Sequence, residues 1–401
     1  MKLAILLPRW PDLGWIWRVK ALVSALPAAA AQANESELEI AVGVHMGEQD
    51  EAVIEAMSLR GTPGVVVRKY RWEPVDCARA SRMFAHVDFD YSGLEIVHVP
   101  RDWGWNFCDC DAWLLAPDLH LGAVMLLRPT VLFGRGIPER YDPTFAARHN
   151  FKSTQAEQVA SLLSWRQVRC VFSAHERTLA DFVSFAGLWR HRTLETHPLT
   201  MPAFDADLMS ILGSSPRTNV LCLLDSPDIK GLDAFCRAAR DALTNRLVAG
   251  IVFAVNGFPG GDGHQRRNML TARLEAVSAL DPARYRVESF STVDDLARLL
   301  LTSSVVVSLD VTCGEPEALV WATEASCRFV GRRTPQAEAW ARLRGLAPQF
   351  VDSFEVSALR RAIGQALDAG LEDGVRSNDA AKVEASLAAL FERVREADLS
   401  V

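Results

Sequence analysis

Of the chain's 43 basic residues only six are lysines, and one of these, Lys230, stands directly before Gly231. It follows the apolar run NVLCLL (219–224) and the turn DSPDI, and it opens the amphipathic pattern GLDAFCRAARDAL. A lysine at the mouth of a helix adds a compact charge to a terminus whose first amides lack acceptors. Together they suit a phosphate or diphosphate. A solvated lysine at a helix start fits the spacing equally well. The next apolar run ends in the glycine-rich stretch FAVNGFPGGDG (253–263), where Asn256 and Gly257 open a backbone able to approach a ligand closely. Further on, GEPEALVWATEA carries Glu315, Glu317 and Glu324. A lysine with helix amides can stabilise an anionic leaving group, while placed carboxylates hold hydroxyls or a developing cation. The plainer account makes Glu315 and Glu317 acids that favour a helix N-terminus and Glu324 a solvated helix position.

The first half has another character. Nine of the 11 tryptophans and eight of the nine histidines precede residue 200. RWPDLGWIWRVK and HVPRDWGWNF set aromatic rings beside arginines near strand ends. Tryptophan faces stack on sugar rings or anchor at a lipid headgroup layer. About half of these rings belong in cores; Trp10, Trp15, Trp103 and Trp105, in loops or at loop edges, are the binding candidates. His98 closes the run LEIVHV and is a candidate base, although a strand-end histidine is commonly a structural hydrogen-bonding group.

Composition narrows the classes. A net charge of −7 argues against a broad nucleic-acid footprint. The eight cysteines form no C-x-x-C pair, and Cys108 and Cys110 alone make a poor metal site, so no metal is expected. A reducing, cytoplasmic setting fits such scattered thiols. The opening MKLAILLPRWP has too short an apolar run for a signal peptide, and no stretch approaches a membrane span. No nucleophile elbow, Walker loop or H-E-x-x-H occurs.

Short apolar runs alternate with helical patterns almost throughout, the signature of a parallel α/β chain. Strands are expected at 2–7, 38–44, 64–67, 94–99, 129–134, 168–173, 219–224, 248–255, 284–289, 304–309, 327–331 and 349–352. Helices are expected near 15–31, 48–59, 111–121, 154–165, 175–187, 231–244, 266–279, 293–302, 316–326, 335–344, 355–369 and 378–397. The Pro-, Gly- and Ser-bearing stretch 196–218 reads as a linker. The expected division is an N-terminal domain over 1–200, a hinge over 201–218, a second domain over 219–375 and a C-terminal helix over 376–401 that crosses back. In open α/β sheets ligands bind at the C-terminal ends of the strands.

The ordered set K-G-L-D, a strand ending in N-G, V-x-S-F-S-x-x-D-D-L-A-x-L-L, S-S-V-V-V-S-L and G-E-P-E-A-L-V-x-A-x-E-A resembles the C-terminal domain of GT-B glycosyltransferases. More narrowly it is similar to group 1, or family 4, of these retaining enzymes. The likeness covers about 219–370; the first half is similar in outline, with Gly14 after the first strand. The resemblance implies two Rossmann-like doubly wound domains facing each other across a cleft. It further implies metal-independent transfer of a hexose from a nucleotide diphosphate sugar, with retention, to a saccharide, lipid-linked or small-molecule acceptor. No cofactor is implied beyond the sugar nucleotide as co-substrate. On this likeness Lys230 and Gly231 hold the diphosphate, with Gly14, Asn256, Gly257, Leu319 and Val320 around the donor. Glu315 or Glu317 serves the donor sugar and Glu324 the ribose; from the residues themselves, His98 stands as the candidate for the catalytic step and Trp10, Trp15, Trp103 and Trp105 for the acceptor. The E-P-x-x-L match favours Glu315.

Two departures stand out. The family's paired glutamates are eight positions apart, whereas Glu315 and Glu324 are nine apart. Asp225 follows the strand where the family often has an arginine. These keep two other readings open: a GT-B-like binding or scaffold protein without transfer activity, and a nucleotide-sugar epimerase of the same architecture. The expected location is cytoplasmic, with peripheral contact at the inner face of the membrane as an alternative.

Overall fold

The computed structural model describes residues 1–8, 11, 13–32, 37–47, 50–85, 95–116, 124–134, 168–173, 180, 195–198, 217–224, 229–245, 248–257, 270–275, 281–309, 316–369, 385, 386, 388–393 and 395. Spatial contacts divide the chain into two units. Unit 1 is Met1–Pro11, Trp15–Met201 and Ala380–Val401; unit 2 is Asp12–Gly14 and Pro202–Asp379.

In unit 1 the elements run β1 (Lys2–Leu6), α1 (Leu13–Gln32, counted with this unit from Trp15 onward), β2 (Glu39–His45), α2 (Asp50–Met57), β3 (Val65–Asp76), α3 (Cys77–Met83), β4 (Ile96–Arg101), β5 (Ala112–Leu115), β6 (Thr130–Phe133), β7 (Val168–Ser173) and β8 (Glu195–Pro198). They form an eight-stranded sheet in the order β4-β3-β2-β1-β5-β6-β7-β8. All neighbours are parallel except β3 and β4, which pair antiparallel from Arg71↔Arg101 to Asp76↔Ile96. Strands β1, β5 and β6 are short apolar runs because helices and loops cover both faces of a parallel sheet. The core beneath them is rich in aromatic rings: Tyr70, Trp72, Phe107 and Trp113 are all buried in one cluster.

Unit 2 contains β9 (Asn219–Leu224), α4 (Ile229–Thr244), β10 (Gly250–Asn256), β11 (Tyr285–Phe290), α5 (Val293–Leu301), β12 (Ser303–Ser308), α6 (Glu317–Glu324), β13 (Arg328–Arg332), α7 (Pro335–Leu343), β14 (Gln349–Val351) and α8 (Val356–Asp368). Its six strands are all parallel, in the order β11-β10-β9-β12-β13-β14. Counted within the unit this is the 3-2-1-4-5-6 order of a Rossmann sheet. Every residue of β9 is buried, as its central place requires. The helices start where local chemistry starts them. Thr292 and Thr334 cap α5 and α7 by accepting from the amides of Asp295 and Ala337.

Four expectations change. Residues 111–121 do not begin a helix: Ala112–Leu115 is the strand β5, wedged between β1 and β6. The run at 64–67 extends to Asp76, because beyond Tyr70 the strand leaves β2 and takes β4 as its partner. His98 does not end its strand, which continues to Arg101 and pairs His98 with Pro74. The stretch Glu195–Pro198, partly read into the linker, forms the edge strand β8. The hinge expected at 201–218 falls almost wholly outside the described residues, as do the helices expected at 154–165 and 175–187. Among the described residues no helix is long and apolar enough to cross a membrane.

Candidate functional site

In unit 2 the chain lays β10 and β11 on one side of β9, then crosses over and lays β12 on the other. The strand order therefore reverses between β9 and β12, and the register pairs Leu223 with Ser308 at their carboxyl ends. Helices following these strands diverge to opposite faces of a doubly wound sheet and leave a crevice at that point. Two elements begin beside it: α4 after β9, and α6 after β12. Lys230 is the second residue of α4, and Glu317 is the first residue of α6. Sequence positions 87 residues apart thus start the two helices that flank one switch point.

Pro316 occupies the N-cap of α6, with no side-chain cap, and its carbonyl accepts the Val320 amide at 3.0 Å. A proline here costs no hydrogen bond, since a first-turn amide would lack a partner in the helix. Glu317 lies one residue inside, where a carboxylate favours the positive end of the helix. Gly14 belongs with this unit, and a methyl group added to it would fall on the Glu317 carboxylate. The absent side chain at Gly14 is the space the carboxylate uses. Leu319 is buried and Val320 half-buried in the same first turn.

Glu324 closes α6, seven residues beyond Glu317, and so shares its face about 10.5 Å further along the axis. Burial pushes its carboxyl up to about 7, against the pull of the Arg344 guanidinium. That guanidinium lies over the Trp340 ring at 4.3 Å. A carboxylate at a helix C-terminus is disfavoured by the dipole as well as by burial.

Asn256 ends β10, which lies between β9 and β11, and Gly257 continues the pairing with β11 through its amide to the Phe290 carbonyl at 2.8 Å. The Ser289 hydroxyl fills the place a Gly257 side chain would take. At Gly231 the Phe354 ring comes within 3.1 Å of where a Cβ would stand, so that glycine admits a packing aromatic. The sequence offered no signal for either neighbour, since both partners lie far along the chain.

Unit 1 places its candidates differently. Trp15 is buried in α1, with its ring edge-on to Phe133 at 5.4 Å. Trp103 and Trp105 are exposed, at 58% and 72% of their surface. His98 is half-buried in β4, and its carbonyl accepts from the Met125 amide. Trp10, Glu315 and Asp225 lie outside the described residues, as does the side chain of Lys230.

Sequence reading missed a charged cluster in unit 1. Arg68 makes a two-pronged contact with Asp109 at 2.8 and 2.6 Å and reaches Asp102 at 3.2 Å. Lys2 approaches Asp109 at 2.7 Å, and its amide donates to Asp111 at 2.7 Å. The Arg68 guanidinium, helped by Lys2, holds the Asp109 carboxyl well below the usual range, despite partial burial. Lys2 opens β1, whereas Arg68 pairs with Gly43 and so stands level with Leu6, the last residue of β1; the cluster therefore runs along the sheet from the amino-terminal end of β1 to its carboxyl end. Its role is to tie the segment before β5 to the sheet. Among the described residues no group of three or more His, Cys, Asp or Glu side chains is placed to hold a metal ion.

No protein-family model and no curated protein matches the chain. Solved structures do. An S. aureus MnaA–UDP structure aligns with a TM-score of 0.54 and 11% identity, over 96% of this chain and 91% of its own. A UDP-forming α,α-trehalose-phosphate synthase from Burkholderia xenovorans gives 0.54 and 13%, over 100% and 98%. The UDP-GlcNAc 2-epimerase of Methanocaldococcus jannaschii, solved with UDP-GlcNAc and UDP, gives 0.54 and 10%, over 98% and 100%. Two Rossmann-like parallel sheets in one chain, and likeness over nearly the full length of these proteins, give this chain the GT-B fold.

Proposed function

We propose that the chain is a glycosyltransferase that moves a hexose from a nucleotide diphosphate sugar to a saccharide, lipid-linked or small-molecule acceptor. The observation that carries this reading is the 3-2-1-4-5-6 order of unit 2, which starts the Lys230 helix and the Glu317 helix at one switch point. Breaking a glycosyl–diphosphate bond builds negative charge on the departing phosphate and positive charge on the sugar. Lys230, with the first amides of α4, answers the first charge. Glu317, beside the small Gly14, holds the sugar hydroxyls or the developing cation. Asn256 and Gly257, at the carboxyl end of β10, border the donor next to β9. Glu324 takes the ribose; a carboxyl that burial leaves near neutrality both donates and accepts a hydrogen bond to a hydroxyl. Retention and independence of metal complete the proposal.

A second reading has its own support, because UDP-GlcNAc 2-epimerases align as well as the synthase does. The decisive experiment is a thermal-shift panel of UDP, GDP, ADP and dTDP with their sugars, followed by product analysis. Ligand at 100 times its dissociation constant adds about 2.7 kcal/mol of stability to a protein that binds it. Transfer to an added acceptor supports the proposal, while an epimerised sugar nucleotide formed without acceptor supports the second reading. No shift with any nucleotide leaves a scaffold protein. Glu317→Gln is expected to lower turnover more than Glu315→Gln; the reverse order assigns the donor sugar to Glu315.

A further inference from the structure

The segment from Asp102 to Cys108 is built to hold two indole rings in solvent. Trp103, Asn106 and Phe107 all have positive φ, at 60°, 53° and 56°. Side chains other than glycine rarely adopt that region, so the surroundings must enforce it. They do so from below. The Asp102 carboxylate accepts from the Gly104 and Asn106 amides, both at 2.9 Å, and is itself paired with Arg68. Phe107 is fully buried against Tyr70, its carbonyl accepts from the Trp113 ring at 3.0 Å, and the Cys108 carbonyl accepts from Arg128. The base of the loop is therefore fixed in the core, while Trp103 and Trp105 at its tip stay 58% and 72% exposed. Burying an indole stabilises a protein more than burying most side chains, so two left outside on an immobilised turn call for an occupant.

Charge tells which. Arg71 and Arg101, facing each other across the β3–β4 pair, set their guanidinium groups 4.8 and 5.9 Å from the Trp103 ring centre. Arg101 has Glu73 at 3.7 Å, whereas Arg71 is exposed and makes no ion pair among the described residues. The Trp103 ring nitrogen already donates to the Met46 sulfur at 3.3 Å. A sugar stacking on Trp103 would compete with arginines for its ring and find that donor engaged. A phosphate-bearing surface uses the same groups together: guanidinium groups pair with phosphates while indoles enter the layer between headgroups and acyl chains. We infer that the 102–108 loop is a docking site for an anionic lipid bilayer, with Trp103 and Trp105 inserted at headgroup depth and Arg71 and Arg101 paired with lipid phosphates.

The test is sedimentation of the full chain with vesicles of phosphatidylcholine alone and of phosphatidylcholine with 30% phosphatidylglycerol, a composition roughly at the anionic end of natural membranes. Binding is expected to the anionic vesicles, with a blue shift of tryptophan emission, and to weaken about tenfold or more in high salt. Trp105→Ala, which removes no buried contact, should lower the partition coefficient about tenfold, and Arg71→Gln about fivefold. Melting temperatures of both variants should match the parent. Glycerol phosphate at millimolar concentration should leave the emission unchanged, which separates a bilayer from free phosphate. The inference is overturned by equal binding to both vesicle types, by no binding, or by binding that survives both substitutions. Saturable quenching by a neutral oligosaccharide, or lipid-independent self-association lost in Trp105→Ala, would overturn it in favour of a sugar or a second copy. Nucleotide thermal shifts on the same variants report donor binding separately, so this docking and the proposed transfer reaction stand or fall apart.

Discussion

The two sheets bury the same kind of parallel β-structure with different materials. In unit 2 the main buried cluster is mostly hydrocarbon: Val220, Leu224, Phe235, Phe253, Val305 and Leu359 pack in it, with Phe235 and Phe253 edge to face at 6.0 Å, and the buried polar residues Asn219, Ser303, Ser308 and Gln336 lie outside it. In unit 1 the core carries polar handles. The buried Tyr70 hydroxyl donates to the Leu7 carbonyl at 2.6 Å, and the Trp113 ring nitrogen donates to the Phe107 carbonyl. The Lys2, Arg68 and Asp109 cluster then fastens the segment after β4 to the sheet. Hydrocarbon fills space but tolerates rearrangement, whereas a buried donor is satisfied in few orientations. The contrast assigns the units different strengths: unit 2 holds helices at a switch point, and unit 1 holds a loop in one shape.

The largest effect should come from the unit 1 cluster. Asp109→Ala leaves Arg68 and Lys2 half-buried without their shared partner and is expected to cost about 2–4 kcal/mol in chemical unfolding. The sign with pH follows from the depressed Asp109 carboxyl. Its stabilisation is fully present above the ordinary aspartate range and is lost as pH falls through the folded-state value. Asp109→Asn should therefore flatten the acid limb of the stability curve below about pH 4.

In unit 2 the matching change should touch binding and spare the fold. Lys230→Ala is expected to weaken nucleotide diphosphate binding by about 1.5–3 kcal/mol, roughly 10- to 150-fold by calorimetry, with little change in melting temperature. A large fall in melting temperature with affinity intact would make Lys230 a structural residue.

The smallest effect is that of Glu324. Its folded value of about 7 stands above the ordinary 4.5, so between those values the unfolded chain releases a proton that the folded chain keeps. Stability is complete below the lower value and falls as pH rises through the upper one. Glu324→Gln should therefore stabilise the chain by about 1–2 kcal/mol at pH 8 and hardly at all at pH 4. Parallel unfolding curves at the two pH values check this.

Much of unit 2 was legible because its central strands β9, β10 and β12 are buried on both faces and so read as unbroken apolar runs; β9 lies where NVLCLL does. Unit 1 hid its strands in two ways. In β3, RKYRWEPVD alternates: Tyr70 and Trp72 point inward while their neighbours face outward or lie half-buried, and Pro74 reads as a stop. Its later half is an edge segment paired with one strand, where a proline is tolerated. In β5, AWLL is too short for its period to separate strand from helix, and only its place between β1 and β6 decides. At the site, the mouth of α4 and the start of α6 were readable from turn and cap residues. The space Gly14 leaves for Glu317, and the Phe354 ring against Gly231, depend on contacts hundreds or scores of residues away.

The tie between Lys2 and the segment before β5 also sets an order of events during synthesis. The Lys2 amide and the Asp111 carboxylate that accepts from it are 109 residues apart. At roughly 5–20 residues per second, the first strand waits about 5–20 seconds before its partner leaves the ribosome. Strand β2 is available much earlier, so β1 first has one neighbour and an open flank. That flank is an unpaired edge of apolar residues, the kind of surface chaperones cover. Translation that slows before residue 111 would prolong this interval, and speed of elongation there becomes a determinant of yield.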